Sequence, residues 1–119
     1  MRRVEKPWGH EEIWAECSAY VGKLLVIRAG HRLSLQHHEI KEETIRLNKG
    51  RMELELENAQ GVLEAHIVLP GQSYHILPGK KHRMKAIVDC EVLEVSTPHL
   101  QDVVRHSDDY GRIEMSETD

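Results

Sequence analysis

Residues 30–50 read Gly30-His31-Arg32-Leu33-Ser34-Leu35-Gln36-His37-His38-Glu39-Ile40-Lys41-Glu42-Glu43-Thr44-Ile45-Arg46-Leu47-Asn48-Lys49-Gly50. A turn signal stands at each end, Gly30 on one side and Asn48-Lys49-Gly50 on the other. Between them, Gln36 and His38 are two positions apart, so a strand turns both to the same face. Glu43 comes shortly after, just ahead of the strand-like Thr44-Ile45-Arg46-Leu47. His82 lies far downstream, after the turn Leu77-Pro78-Gly79-Lys80-Lys81. Two imidazoles, a carboxylate and an amide carbonyl suit a borderline divalent cation: Zn²⁺, Mn²⁺, Fe²⁺, Co²⁺ or Ni²⁺. These residues belong to separate strands, and only a closed β-fold brings such strands together.

Working outward, alternation dominates. Arg51 to Glu57 (RMELELE) puts Met52, Leu54 and Leu56 on one face, the mark of a half-buried strand. Val62 to Leu69 repeats the habit, and Asn58-Ala59-Gln60-Gly61 between the two reads as a hairpin turn. Lys23 to Ala29 and Asp89 to Ser96 read as further strands, with turn signals at Pro70-Gly71 and Pro78-Gly79. Strands so regularly punctuated predict an antiparallel sandwich or barrel. Pro98 to Arg105 has helical spacing instead, with Leu100, Val103 and Val104 on one side, and predicts a short C-terminal helix or turn. Met115 to Asp119 reads as a frayed tail.

Composition excludes several classes. The chain has 119 residues, the size of one domain, and a net charge of −4, which offers no basic footprint for nucleic acid. No apolar run is long enough to span a membrane. The start, Met1-Arg2-Arg3-Val4-Glu5-Lys6-Pro7, lacks the apolar core of a signal peptide, so a cytoplasmic location is expected. Cys17 and Cys90 make no disulfide framework and read as two semi-buried thiols. There are 9 histidines and no Phe, which directs attention to metal chemistry.

The glycine-framed spacing carries a resemblance. Gly30, Gln36, His38, Glu43 and Gly50 follow the first cupin motif, G-x5-H-x-H-x4-E-x6-G, with Gln in the first His place. Gly71, Leu77, Gly79, His82 and Ala86 resemble the second motif, G-x5-P-x-G-x2-H-x3-N, with Leu for its Pro and Ala for its Asn. The chain thus resembles a single cupin, an all-β jelly-roll barrel or double-stranded β-helix. It divides into an N-terminal arm (1–16), a barrel core (20–97) and a C-terminal extension (98–119).

A narrower resemblance covers most of the chain. Lys6-Pro7-Trp8-Gly9, Arg32-Leu33-Ser34-Leu35-Gln36 and the run Val104 to Arg112 are similar to the isomerase domain of type II phosphomannose isomerases. That domain often follows a mannose-1-phosphate guanylyltransferase. The resemblance implies that Gln36, His38, Glu43 and His82 are metal ligands. It also implies interconversion of an aldose 6-phosphate and a ketose 6-phosphate, of the mannose 6-phosphate and fructose 6-phosphate type. The family pattern R-L-S-L-Q-x-H-x-H-R-x-E-H-W is not complete here. Ile40 stands for its second His, Lys41 for its Arg, and Thr44-Ile45 for its His-Trp. Those departures motivate the competing reading, a non-catalytic metal- or sugar-binding cupin. A metal-dependent oxygenase is a third class, disfavoured by the Gln ligand. No residue is assigned as the catalytic base.

Several expectations follow for the remaining residues. If Gln36 and His38 point inward, the same alternation puts Arg32 and Ser34 inward and Leu33 and Leu35 outward. Two outward leucines need a cover, either the strand around Ile13-Trp14 or a second subunit, so a homodimer is expected. Arg32, Lys41 and Arg83 are the expected contacts of an anionic sugar phosphate, the last within the basic cluster Lys80, Lys81, Arg83, Lys85. His37 is expected on the opposite face from His38, and His75 on a half-exposed strand. His31, His66, His99 and His106 are expected at the surface or in loops, while His10 is a candidate for the barrel mouth. Trp8 and Trp14 are expected in the core.

Overall fold

The computed structural model describes residues 1–112. Its strands are β1 (Arg2–Lys6), β2 (Gly9–Glu16), β3 (Val21–Ile27), β4 (Leu35–His37), β5 (Glu43–Lys49), β6 (Met52–Glu57), β7 (Leu63–Val68), β8 (Ser73–Ile76), β9 (His82–Ala86), β10 (Cys90–Ser96) and β11 (Val104–Ser107). They form two antiparallel sheets, ordered β1-β2-β3-β10-β5-β8 and β11-β4-β9-β6-β7. The chain crosses repeatedly from one sheet to the other, giving the jelly-roll barrel that the spacing predicted.

Strand alternation sorts the side chains. β10 turns Cys90, Val92, Glu94 and Ser96 inward, and β5 turns Glu43, Ile45 and Leu47 inward. β3 contributes Val21, Lys23, Leu25 and Ile27. The register places Cys90 opposite Ile27, Val92 opposite Leu25, and Glu94 opposite Lys23. The interior therefore has two ends. One is apolar, built around Trp8, Ile27, Leu47, Met52, Val68, Ala86 and Val92. Burial of each such large side chain contributes about 1.5–3 kcal/mol. The other end holds Glu11, Lys23, Lys41, Glu43, Glu94, His38 and His82, all buried.

Gly50 shows why the motif glycines matter. It has φ +104°, and a Cβ there would lie 2.4 Å from the Asp89 carbonyl oxygen. Only glycine fits this turn between β5 and β6 without displacing backbone.

Several expectations are corrected. The helical spacing of Pro98 to Arg105 forms no helix: the last two of these residues open β11, which pairs with β4. Its apolar positions were too few to hold a helix against strand pairing. The alternation assumed upstream of Gln36 also fails. β4 starts only at Leu35, and Arg32 makes one isolated bridge to Lys85. Leu33 consequently turns into the core, Ser34 is buried, and Leu35 is half-buried beside β11. Trp14 lies 54% exposed over Gly22 rather than in the core, because it occupies the outer face of β2. Cys17 is exposed and Cys90 buried. The expectation for Met115 to Asp119 lies outside the described residues. No helix is long and apolar enough to cross a membrane, among the described residues.

Candidate metal centre

Three strands or their ends deliver the four predicted ligands to the polar end of the barrel. Gln36 lies in β4, directly opposite His82 at the start of β9. His38 follows β4, and Glu43 begins β5 in the other sheet. All four are buried, with exposures of 1–3%. His38, Glu43 and His82 each offer one ligand atom, and these atoms lie within 4.8 Å of one another. Glu43 Oε1 is 3.1 Å from His82 Nε2 and 3.4 Å from His38 Nε2.

The outer nitrogens of the two rings decide what the inner ones can do. His82 Nδ1 is 2.9 Å from the Lys80 carbonyl oxygen, and His38 Nδ1 bonds the Asp102 carbonyl oxygen. A carbonyl only accepts, so each Nδ1 carries the proton. In a neutral ring this makes Nε2, which faces Glu43, the nitrogen that could ligate a metal. This is the usual arrangement around metal-ligating histidines, where the distal N–H fixes tautomer and ring orientation. His38 Nε2 is buried with no hydrogen-bond partner. Ligand atoms held about 2.0–2.2 Å from one ion sit roughly 3–3.5 Å apart, which matches the spacing found. The donor set fits a divalent cation. Ser34 Oγ lies 3.3 Å from Gln36 Oε1 and donates to it, orienting the amide.

Charges surround the cluster. Lys41 Nζ is 3.5 Å from Glu43 Oε2 and 3.2 Å from Glu94 Oε2. Lys23 pairs with Glu11 at 3.4 Å, with both side chains buried. Burial penalises the charged forms of Glu43 and Glu94. Against that penalty, the Lys41 charge and the two histidines hold the Glu43 carboxyl well below the usual carboxylate range. The Glu94 carboxyl is pushed up by burial and then by the charge of Glu43. The turn between His38 and β5 is pinned from outside. The Asp102 carboxylate accepts the backbone N–H groups of Glu39 at 3.0 Å, Ile40 at 2.7 Å and Lys41 at 2.8 Å.

Of the residues expected to meet an anionic substrate, Lys41 stands at the centre, whereas Arg32 and Arg83 do not. Arg83 follows His82 in β9 and so faces outward. Its Nε donates to the Leu33 carbonyl and its Nη2 to the Ser107 carbonyl. Arg32 makes two bonds to the Asp109 carboxylate, at 2.7 and 2.9 Å, on that same outer side. Both arginines fasten the C-terminal segment to the barrel.

The other histidines are dispersed. His37 faces outward and stacks on His106, with ring centroids 5.0 Å apart. His75 is exposed and pairs with Glu42. His10 pairs with Glu12 on the outer face of β2, away from the mouth. Sequence reasoning missed Glu94, Lys23, Glu11 and Asp102. For Glu94 the signal was ambiguous, because both faces of Asp89 to Ser96 carry apolar residues. Asp102 sat in the segment read as helical.

The family description "Mannose-6-phosphate isomerase C-terminal" matches residues 1–114 of this chain. The chain belongs to that family. Among curated proteins, none matches. Solved structures similar to this cupin include KdgF from Halomonas sp., with TM-score 0.73 and 19% identity over 82% of this chain and 88% of that one. An RmlC-like cupin from Shewanella frigidimarina has TM-score 0.70 and 11% identity, covering 82% and 83%. Oxalate decarboxylase from Lactobacillus farciminis, in a formate complex, has TM-score 0.75 and 15% identity. That match covers 88% of this chain but only 33% of the decarboxylase. At such identities the likeness shows the shared cupin fold, and a fold of this kind hosts many chemistries.

Proposed function

We propose that this cupin is a metal-dependent sugar-phosphate isomerase, interconverting an aldose 6-phosphate and a ketose 6-phosphate of the mannose and fructose type. The observation that carries the reading is the convergence of two histidine Nε2 atoms and the Glu43 carboxylate, in a chain of the mannose-6-phosphate isomerase C-terminal family. Gln36 completes the ligand set, through its amide oxygen. A divalent ion bound there would polarise the C1 and C2 oxygens and stabilise the enediolate between the two sugars. Lys41 supplies a buried positive charge beside the anion that develops as a carbon-bound proton leaves. The Asp102 latch holds the backbone that carries Lys41 in place.

The test combines metal analysis of the isolated protein with a coupled assay on mannose 6-phosphate, with Mn²⁺, Co²⁺ or Zn²⁺ added. Turnover that requires metal and disappears in His82→Ala supports the reading. No turnover with any of the three metals overturns it for this substrate.

One observation favours a second reading, a non-catalytic metal- and sugar-binding cupin. The four ligands are at most 3% exposed, so the centre is closed towards solvent. Exposed Ile40 and the small Thr44 stand where the family pattern has His residues. Retained metal together with calorimetric sugar-phosphate binding, but no turnover, would establish this role.

A further inference from the structure

The segment from Thr97 to Ser107 is tied to the chain at or beside each of the four predicted ligands. Thr97 exchanges two hydrogen bonds with Glu42, the residue before Glu43. The Thr97 N–H donates to the Glu42 carbonyl at 3.0 Å, and the Glu42 N–H donates to Thr97 Oγ1 at 3.1 Å. Arg105 on β11 lies opposite Gln36 on β4. Arg83, the residue after His82, donates to the Ser107 carbonyl at 3.1 Å. The tie to His38 is double, and one residue makes both halves. The Asp102 carbonyl accepts a hydrogen bond from His38 Nδ1. The Asp102 carboxylate accepts the N–H groups of the next three residues, Glu39 on Oδ1 and both Ile40 and Lys41 on Oδ2.

The double tie closes a ring. The carboxylate grips the amides that follow His38, and that grip fixes where the Asp102 carbonyl points. Hydrogen bonds to an ionised carboxylate are about twice as strong as neutral ones, so the side chain sets the geometry and the carbonyl follows. The direction of that carbonyl matters because His38 has a competing acceptor. Glu43 Oε1 lies 3.4 Å from His38 Nε2. A proton on Nε2 would satisfy that carboxylate and block the nitrogen from a metal. A carbonyl fixed at Nδ1 draws the proton to the outer nitrogen instead, and leaves Nε2 able to ligate.

We propose that Asp102 is the positioning residue of the metal centre, and that through it metal binding and docking of the segment 97–107 form one coupled equilibrium. The proposal rests on the reading of His38, Glu43 and His82 as ligands. Coupling of two binding events is reciprocal. The docked carboxylate favours the His38 tautomer that a cation needs, and a bound cation holds His38 in the tautomer that the Asp102 carbonyl needs. One factor therefore governs two measurements. It is the metal affinity lost when the Asp102 carboxylate is removed, and the protection that metal gives to the amides of Glu39, Ile40 and Lys41.

The experiment measures Zn²⁺ and Mn²⁺ affinity by titration calorimetry, and amide hydrogen exchange with and without metal, on the full chain and three variants. Asp102→Ala is expected to lower metal affinity about 10–100-fold, the usual effect of losing an outer partner of a ligating histidine. Asp102→Asn keeps one oxygen that can accept from Ile40 and Lys41, and is expected to fall between Asp102→Ala and the wild type. Asp109→Asn weakens the Arg32 pair further along the same segment and is expected to keep wild-type affinity. In the wild type, metal is expected to slow exchange of the Glu39, Ile40 and Lys41 amides by about the same 10–100-fold. In metal-free Asp102→Ala, the imidazole nitrogen shifts of His38 are expected to show the proton moving onto Nε2. Wild-type affinity in Asp102→Ala overturns the proposal, and so does an equal loss in Asp109→Asn, which would make the effect one of general stability. Exchange at residues 39–41 that metal leaves unchanged overturns it as well. These three results leave the ligand reading standing, whereas a wild type that binds neither metal overturns both. Near-ultraviolet circular dichroism checks folding, and if Asp102→Ala is unfolded, Asp102→Asn and the wild-type exchange decide.

Discussion

Glu43 and His82 meet at 3.1 Å although they start strands in different sheets, β5 and β9. The contact joins the two walls of the barrel at its polar end. Glu43 Oε1 also lies 3.4 Å from His38 Nε2, so one carboxylate oxygen faces two imidazole nitrogens. A cation bound there would take all three as ligands. Replacing either ligand should therefore change metal affinity much more than fold. Glu43→Gln and His82→Ala are expected to lower Zn²⁺ or Mn²⁺ affinity by more than about 100-fold, beyond the usual effect of outer-sphere changes. Titration calorimetry and metal content per chain measure this. Retention of wild-type affinity by both variants would contradict the ligand assignment.

Lys41 offers a separate test. It is the cation between two buried carboxylates, Glu43 and Glu94. Lys41→Met keeps much of the volume and removes the charge. Breaking a buried pair this way costs about 3–5 kcal/mol, because the partner charge is left uncompensated. Denaturant unfolding of metal-free protein should show that loss. Added metal should recover part of it, since the ion supplies positive charge beside the same Glu43. An equal loss with and without metal would mean that the two cations do not share Glu43.

Two glycines of the motifs should differ in cost. Gly50 has φ +104° and no room for a Cβ, which would meet the Asp89 carbonyl at 2.4 Å. Gly79 has φ +83° and nothing within 4 Å of the added carbon. Gly79→Ala is expected to cost about 1–2 kcal/mol, the left-handed strain alone. Gly50→Ala adds displaced backbone and is expected to cost at least about 2 kcal/mol more. Paired melts of the two variants compare them directly.

The C-terminal segment gives a pH dependence. Asp108 accepts the Arg112 backbone N–H at 2.7 Å and two guanidinium bonds at 3.1 Å. Burial raises the Asp108 carboxyl, but the Arg112 bonds outweigh it and leave the group below its ordinary value. A carboxyl depressed in the folded state stabilises above its unfolded value, about 3.9, and that contribution is lost as pH falls through the folded value. Hydrogen exchange at Arg112 should accelerate below about pH 4 relative to core amides. In Asp108→Asn that acid-induced loosening should be absent, with exchange already faster at neutral pH.

The sequence by itself determined the barrel and the residue types of the candidate metal site. Alternation at Met52, Leu54 and Leu56 specifies a half-buried strand whatever lies opposite. Glycine at position 50 specifies a backbone that only glycine adopts there, and the spacing of Gln36, His38, Glu43 and His82 follows from strand and turn lengths. These are local properties, set by a period of two and by steric limits on φ. The tertiary structure decided everything that depends on which strand lies beside which. Alternation could not tell that Leu33 precedes the strand and turns inward, or that Glu94 rather than Leu93 faces the barrel. It could not show that Lys41 compensates Glu94, or that the Asp102 carbonyl accepts a hydrogen bond from His38 Nδ1. Such partners lie 53 and 64 residues apart in the chain. Only the pairing of β5 with β10, and the folding of the C-terminal segment over β4, makes them neighbours. Burial then turns that proximity into chemistry, by stripping away the water that would otherwise screen each charge.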